Sequence, residues 1–122
     1  MRRILIVDDQ KGVRRLLQEL FKKDGWEVSI ANDGREAVEC AGNLKPDIIL
    51  MDMKMPSMNG LDASRQILAQ DSELMIIMMT AYGEMDIVRE ALEVGVRKCI
   101  TKPFDIIHLR DMVNQLYEQK AS

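Results

Sequence analysis

Three short runs in this chain carry no polar residue: Ile-Leu-Ile-Val at 4–7, Ile-Ile-Leu-Met at 48–51 and Met-Ile-Ile-Met-Met at 75–79. A strand packed on both faces has no solvent side for a polar residue, so such runs predict the central strands of a parallel sheet. Residues 27–31 alternate instead, with Val28 and Ile30 on one face, and residues 97–101 are only weakly apolar. Both suit strands at a sheet edge.

Between the strands the apolar spacing is helical. Val13, Leu16, Leu17, Leu20 and Phe21 fall at i, i+3, i+4, i+7 and i+8, and Leu109, Met112, Val113, Leu116 and Tyr117 repeat that spacing. Each set predicts a helix with one core-facing stripe. Ala37, Val38, Ala41 and Leu44 form a weaker stripe, entered through Asn32, Asp33 and Gly34, with Glu36 three residues after Asp33 as in a capping box. Leu61, Ser64 and Leu68, then Ile87, Val88, Ala91 and Leu92, complete the set, with Gly95 as a helix stop and Asp105 as the N-cap of the last helix. Five strand–helix repeats with short connections predict a single domain over residues 1–122: an α/β, doubly wound, five-stranded parallel sheet. With the two less apolar strands outermost, the order 2-1-3-4-5 known for doubly wound sheets of this kind is expected.

Composition narrows the function. A chain of 122 residues, 47% hydrophobic, can bury one core. Its net charge of -3, with no basic cluster flanked by aromatics, argues against direct nucleic-acid binding. The apolar start ends at Asp8 and Asp9, too soon for a signal-peptide core, so neither export nor a membrane is expected and the cytoplasm is the expected compartment. Cys40 and Cys99 lie in no metal-binding spacing and read as reduced, buried thiols. His108, the one histidine, reads as a solvated helix residue.

In open parallel sheets ligands bind beyond the carboxyl ends of the strands. There this chain places Asp8 and Asp9, Asp52, Thr80 and Lys102, after strands one, three, four and five. Any one of them reads equally well as a cap or a turn residue; all five at matching strand ends do not. Three carboxylates in one crevice repel at about 4 kcal/mol per close pair at an effective dielectric near 20. A divalent cation relieves this, and an all-oxygen donor set favours Mg²⁺, with Mn²⁺ as the alternative, over Zn²⁺.

The segments Ile4-Leu5-Ile6-Val7-Asp8-Asp9, Asp52-Met53-Lys54-Met55-Pro56 with Gly60, Thr80-Ala81 and Lys102-Pro103-Phe104 resemble response-regulator receivers over residues 3–117. The resemblance implies a flavodoxin-like receiver fold in which Asp52 accepts a phosphoryl group. Asp9, Asp52 and the Lys54 carbonyl would bind Mg²⁺, with Asp8 supporting it through water. Lys102, Thr80 and the Met53 and Ala81 N–H groups would hold phosphoryl oxygens, so that Asp52, Lys102 and Thr80 form the catalytic set. It also implies a cis Lys102-Pro103 peptide. The aromatic residue that usually couples to the threonine is replaced by Cys99.

Asp9-Gln10, Gly12, Asp52-Met53-Lys54, Thr80-Ala81-Tyr82-Gly83-Glu84 and Lys102-Pro103-Phe104-Asp105-Ile106 resemble more narrowly the stand-alone receivers of sporulation phosphorelays. This implies a histidine kinase as donor, a histidine phosphotransferase as acceptor and an aspartyl-phosphate phosphatase as a further partner, with the receiver itself monomeric. The expected docking residues are Gln10, Val13, Leu16, Tyr82, Pro103 and Phe104, although Val13 and Leu16 fit a core stripe equally well. On this reading the chain is a phosphotransferase in a limited sense, catalysing transfer to and from its own Asp52. Residues 118–122 start no linker, so no output domain is expected.

Four rivals remain. A receiver separated from a DNA-binding output domain would carry the same motifs. A haloacid-dehalogenase-type phosphatase calls for a second Asp where Lys54 stands, and a flavodoxin calls for a hydroxyl-rich loop where Asp8-Asp9-Gln10 stands. A pure interaction module would have little use for all five polar positions.

Overall fold

The computed structural model describes residues 1–121. Five strands, β1 (Arg3–Val7), β2 (Glu27–Ala31), β3 (Ile48–Asp52), β4 (Met75–Ala81) and β5 (Lys98–Lys102), alternate with five helices. The helices are α1 (Lys11–Lys23), α2 (Gly34–Leu44), α3 (Gly60–Gln70), α4 (Met85–Val94) and α5 (Ile106–Ala121). All strand pairs are parallel and the order is β2-β1-β3-β4-β5, so the two less apolar strands are the edges, as expected.

The continuous apolar runs are explained by burial on both sides. Ile4, Ile6, Ile48, Leu50, Met75, Ile77 and Met79 pack with Leu17 and Phe21 of α1 and Leu109, Val113 and Leu116 of α5. Leu5, Val7, Ile49, Met51, Ile76 and Met78 pack with Ala37 and Ala41 of α2, Leu61 and Ile67 of α3 and Ala91 of α4. Successive strand residues face opposite sides. That parity reaches the strand ends: Asp8, Asp52 and Lys102 continue the rows of Ile6, Leu50 and Ile100 toward α1 and α5, while Thr80 continues the row of Met78 toward α4.

Local signals set the helix ends. Asp33 accepts the Glu36 N–H at 2.9 Å, and the Glu36 carboxylate accepts from the Asn32 side chain instead of closing a capping box. Asp105 accepts from Ile107 and His108, and Gly95 ends α4 at φ 120°. Asn59 caps α3 through the Asp62 N–H, a cap not anticipated from sequence.

Three stripe residues depart from expectation. Leu16 is 48% exposed, and Leu44 and Leu92 are also exposed. Leu16 instead lines a surface groove with Val13, Pro103 and Phe104. Cys40 and Cys99 are free but only half-buried, not buried; burial pushes both thiols up, and Glu36 and Glu39 push Cys40 further. Fold expectations hold at His108, which is exposed, and at Lys102-Pro103, which is cis. Among the described residues no helix is long and apolar enough to cross a membrane.

Candidate functional site

The carboxyl ends of β1, β3, β4 and β5 open into a cleft of about 480 Å³ lined by Asp9, Gln10, Asp52, Met53, Lys54, Met55, Pro56, Met79, Thr80, Ala81, Glu84 and Lys102. Asp52, Thr80 and Lys102 lie within the ends of their strands rather than beyond them, which fixes their backbones by ladder hydrogen bonds. The floor is anchored by close packing. A Cβ on Gly60 would lie 2.2 Å from the Asp52 carbonyl oxygen, and the Gly60 N–H donates to the Met53 carbonyl at 2.8 Å. Only glycine lets α3 begin this close to the end of β3.

Oxygens of Asp8, Asp9 and Asp52 come within 4.8 Å of one another. Asp8 and Asp9 divide the roles between them. Asp8 is fully buried, one oxygen accepting the Gln10 N–H at 2.9 Å and the other the Lys102 ammonium at 2.7 Å, whereas Asp9 is exposed on the cleft wall. Lys102 Nζ is also 3.3 Å from Asp52. Burial lowers the Lys102 pKa, but the Asp8 hydrogen bond and the charges of Asp52 and Asp8 outweigh it, for a net rise. Asp52 is pushed up to about 6, first by burial, then by Asp8, with Lys102 opposing and Asp9 adding. Among the described residues only Lys102 forms ion pairs with this cluster, so three carboxylates are met by one ammonium and a divalent cation would balance the remaining negative charge. The donors are oxygens only, as a hard cation requires.

The other expected phosphoryl contacts are engaged within the protein. Thr80 is buried, with its hydroxyl donating to the Ile100 carbonyl at 3.5 Å. The Met53 N–H donates to the Met79 carbonyl at 2.9 Å, and the Ala81 N–H donates to the Glu84 carboxylate at 2.6 Å. Lys54 is exposed on the cleft wall.

The expected docking residues fall into three groups. Val13, Leu16, Pro103 and Phe104 line a second, apolar groove of about 390 Å³ with Leu17, Lys102 and Ile106. Gln10 lines the acidic cleft itself, and Tyr82, 93% exposed, stands outside both. Sequence reasoning missed Arg14, whose guanidinium donates to the Asp8 carbonyl at 2.7 Å and so holds the β1–α1 turn. An arginine in the first turn of the helix after an Asp-Asp pair was the available signal. It also missed Gly34, where a Cβ would lie 2.3 Å from the Met58 carbonyl, pinning the β3–α3 loop against α2.

Comparison with known proteins agrees with this geometry. The family described as response regulator receiver domain matches residues 4–114. Sporulation initiation phosphotransferase F of Bacillus subtilis (strain 168) is 40% identical over 120 residues, covering 98% of this chain and 97% of that protein. Regulatory protein AtoC of Escherichia coli (strain K12) is 39% identical over 119 residues, covering 98% of this chain but 26% of that protein. A chain in the crystal structure of the CheX–CheY–BeF3–Mg²⁺ complex from Borrelia burgdorferi superposes with a TM-score of 0.89 at 30% identity, covering 95% of this chain and 89% of that one. With an acidic cleft at the carboxyl rim of a 2-1-3-4-5 sheet and a family match over nearly its whole length, this chain belongs to the response regulator receiver domain family.

Proposed function

We propose that this receiver is a phosphorelay intermediate that takes a phosphoryl group from the phosphohistidine of a histidine kinase onto Asp52 and passes it to a histidine phosphotransferase, in the control of sporulation. The observation that carries the reading is the placement of Asp52 on the cleft floor, 3.3 Å from the Lys102 ammonium and within a cluster of three carboxylates.

An Asp52 oxygen attacks phosphorus in line as the bond to the donor imidazole breaks; the imidazole leaves with the electron pair and takes up a proton. No general base is required, because the attacking carboxylate is ionised above about pH 6. Lys102 turns from Asp8 toward a phosphoryl oxygen, and Thr80 and the Ala81 and Met53 amides are the donors that would exchange their present partners for the others. Mg²⁺ or Mn²⁺, held by Asp9, Asp52 and the Lys54 carbonyl with Asp8 behind them through water, would supply the charge neutralisation that phosphoryl transfer needs. The apolar groove beside Lys102 suits a partner helix carrying the reactive histidine, and an aspartyl-phosphate phosphatase would reach the same rim. The relay and cytoplasmic assignments draw support from the 40% identity to sporulation initiation phosphotransferase F across nearly both lengths.

Intact mass after incubation with Mg²⁺ and a small phosphodonor tests the chemistry. The expected result is a gain of one phosphoryl group, lost in Asp52→Asn and in chelator; no gain in the parent would overturn it. A second reading, the receiver of a transcriptional regulator, is favoured by the match to AtoC, of which the chain spans about a quarter. Transfer from the phosphorylated chain onto a histidine phosphotransferase supports the relay, and its absence supports the regulator.

A further inference from the structure

The helix α4 is entered without a cap. Glu84 holds the N-cap position at φ -88° and ψ 49°, outside the extended geometry usual there, and its side chain accepts nothing from its own helix. It reaches back to the Ala81 N–H at 2.6 Å, on the wall of the cleft that Asp52 and Lys102 line. Gly83, at φ 90°, makes the turn that permits this, and the Glu84 N–H returns to the Ala81 carbonyl at 3.4 Å.

A carboxylate and a phosphoryl group are both anionic oxygen acceptors, so they compete for one amide and repel when close. A carboxylate displaced from Ala81 has a ready alternative two and three residues on. The Asp86 and Ile87 N–H groups open α4, at the positive end of its dipole, where an N-cap carboxylate is ordinarily held.

We propose that Glu84 is a two-position carboxylate. It occupies the Ala81 amide while Asp52 is bare, and it moves onto the first-turn amides of α4 when Asp52 is phosphorylated. The idea rests on Asp52 as phosphoacceptor and extends it. The state of Asp52 is thereby written into the entry of α4 and into Tyr82 and Met85, both largely exposed beside it. It needs no aromatic residue at Cys99. Glu84 also holds back phosphorylation, because the incoming group must evict it.

Amide hydrogen exchange at Ala81 and Ile87 tests this in the full chain, with parent, Glu84→Gln and Glu84→Ala compared without ligand and with Mg²⁺ and beryllofluoride. Ala81 exchange is expected to be about tenfold faster in unliganded Glu84→Ala, the scale of one lost charge-assisted hydrogen bond. Beryllofluoride is expected to slow exchange at Ile87 in the parent but not in Glu84→Ala. Both variants are expected to take a phosphoryl group from acetyl phosphate several times faster than the parent. Unchanged Ala81 exchange in Glu84→Ala, unchanged Ile87 exchange in the liganded parent, or no gain in rate would each overturn the proposal. A parent that neither binds beryllofluoride nor gains phosphoryl mass overturns instead the reading of Asp52 and the second position with it, while Ala81 exchange still decides the first.

Discussion

Lys102 is closer to Asp8 than to Asp52, with its ammonium 2.7 Å from one carboxylate and 3.3 Å from the other. The cation proposed to meet the phosphoryl group is thus the counter-charge of a fully buried acid. Lys102→Met should leave Asp8 uncompensated and cost about 3 kcal/mol in metal-free urea unfolding. Adding Asp8→Asn should recover much of that loss; a double variant as unstable as the single would show that the cost lies elsewhere.

The raised pKa of Asp52 makes metal-free stability depend on pH. The folded carboxyl titrates near 6 and the unfolded one near 3.8, so between these values the folded state binds more protons. Stability therefore falls as pH rises through that window and levels off above it. The drop is on the order of 2 kcal/mol after allowance for solvent in the open cleft. Thermal unfolding at pH 4.5 and 7.5 should show the contribution, and Asp52→Asn should remove it; an equal slope in the variant would assign the dependence to other groups.

Divalent cations should reverse that penalty. At about 100 times its dissociation constant Mg²⁺ should add roughly 2.7 kcal/mol. Asp9→Asn, which alters an exposed proposed ligand without touching the Lys102 pair, should weaken Mg²⁺ binding at least tenfold while leaving metal-free stability nearly intact. Titration followed by thermal shift separates the two effects.

Gly60→Ala should disable the site from behind. Its Cβ would meet the Asp52 carbonyl at 2.2 Å, so β3 or α3 must move. The expected cost is about 2–4 kcal/mol, with a large loss of small-donor phosphorylation. A normal rate in a folded variant would show that the acceptor tolerates displacement.

Leu16→Ala should leave the chemistry alone. Leu16 is half-exposed in the groove with Val13, Pro103 and Phe104, so its truncation should change stability by less than about 1 kcal/mol while weakening transfer from a histidine protein about tenfold. Equal losses with acetyl phosphate and with the protein donor would place Leu16 in the core function instead.

The strands were legible because burial on two faces leaves a continuous apolar run, and the edges because they lack one. That Asp8, Asp9, Asp52, Thr80 and Lys102 would gather at neighbouring strand ends was also legible. What sequence could not supply was direction. An Asp-Asp pair at a strand end does not say which member turns inward, and here Asp8 is buried against Lys102 while Asp9 faces the cleft. Helical period likewise marks the stripe containing Leu16 without marking its margin. Glu84 was visible only as the last residue of the Thr80–Glu84 motif, and its bond to the Ala81 amide depends on a backbone turn at Gly83 that periodicity does not describe.

The contact of Gly60 with the Asp52 backbone divides the rim into an anvil and a hinge. The Asp52 side is held between strand, loop and helix start, which would leave it little slack with which to report a modification. If Asp52 is the phosphoacceptor, its message would leave across the cleft, through the loop that Glu84 ties down. A partner that reads the phosphorylated state needs to touch that far wall, whereas a partner that only delivers or removes the phosphoryl group can work from the near one. On the proposed function, delivery and readout would then have separate footprints on one small surface, and a substitution could damage either without the other.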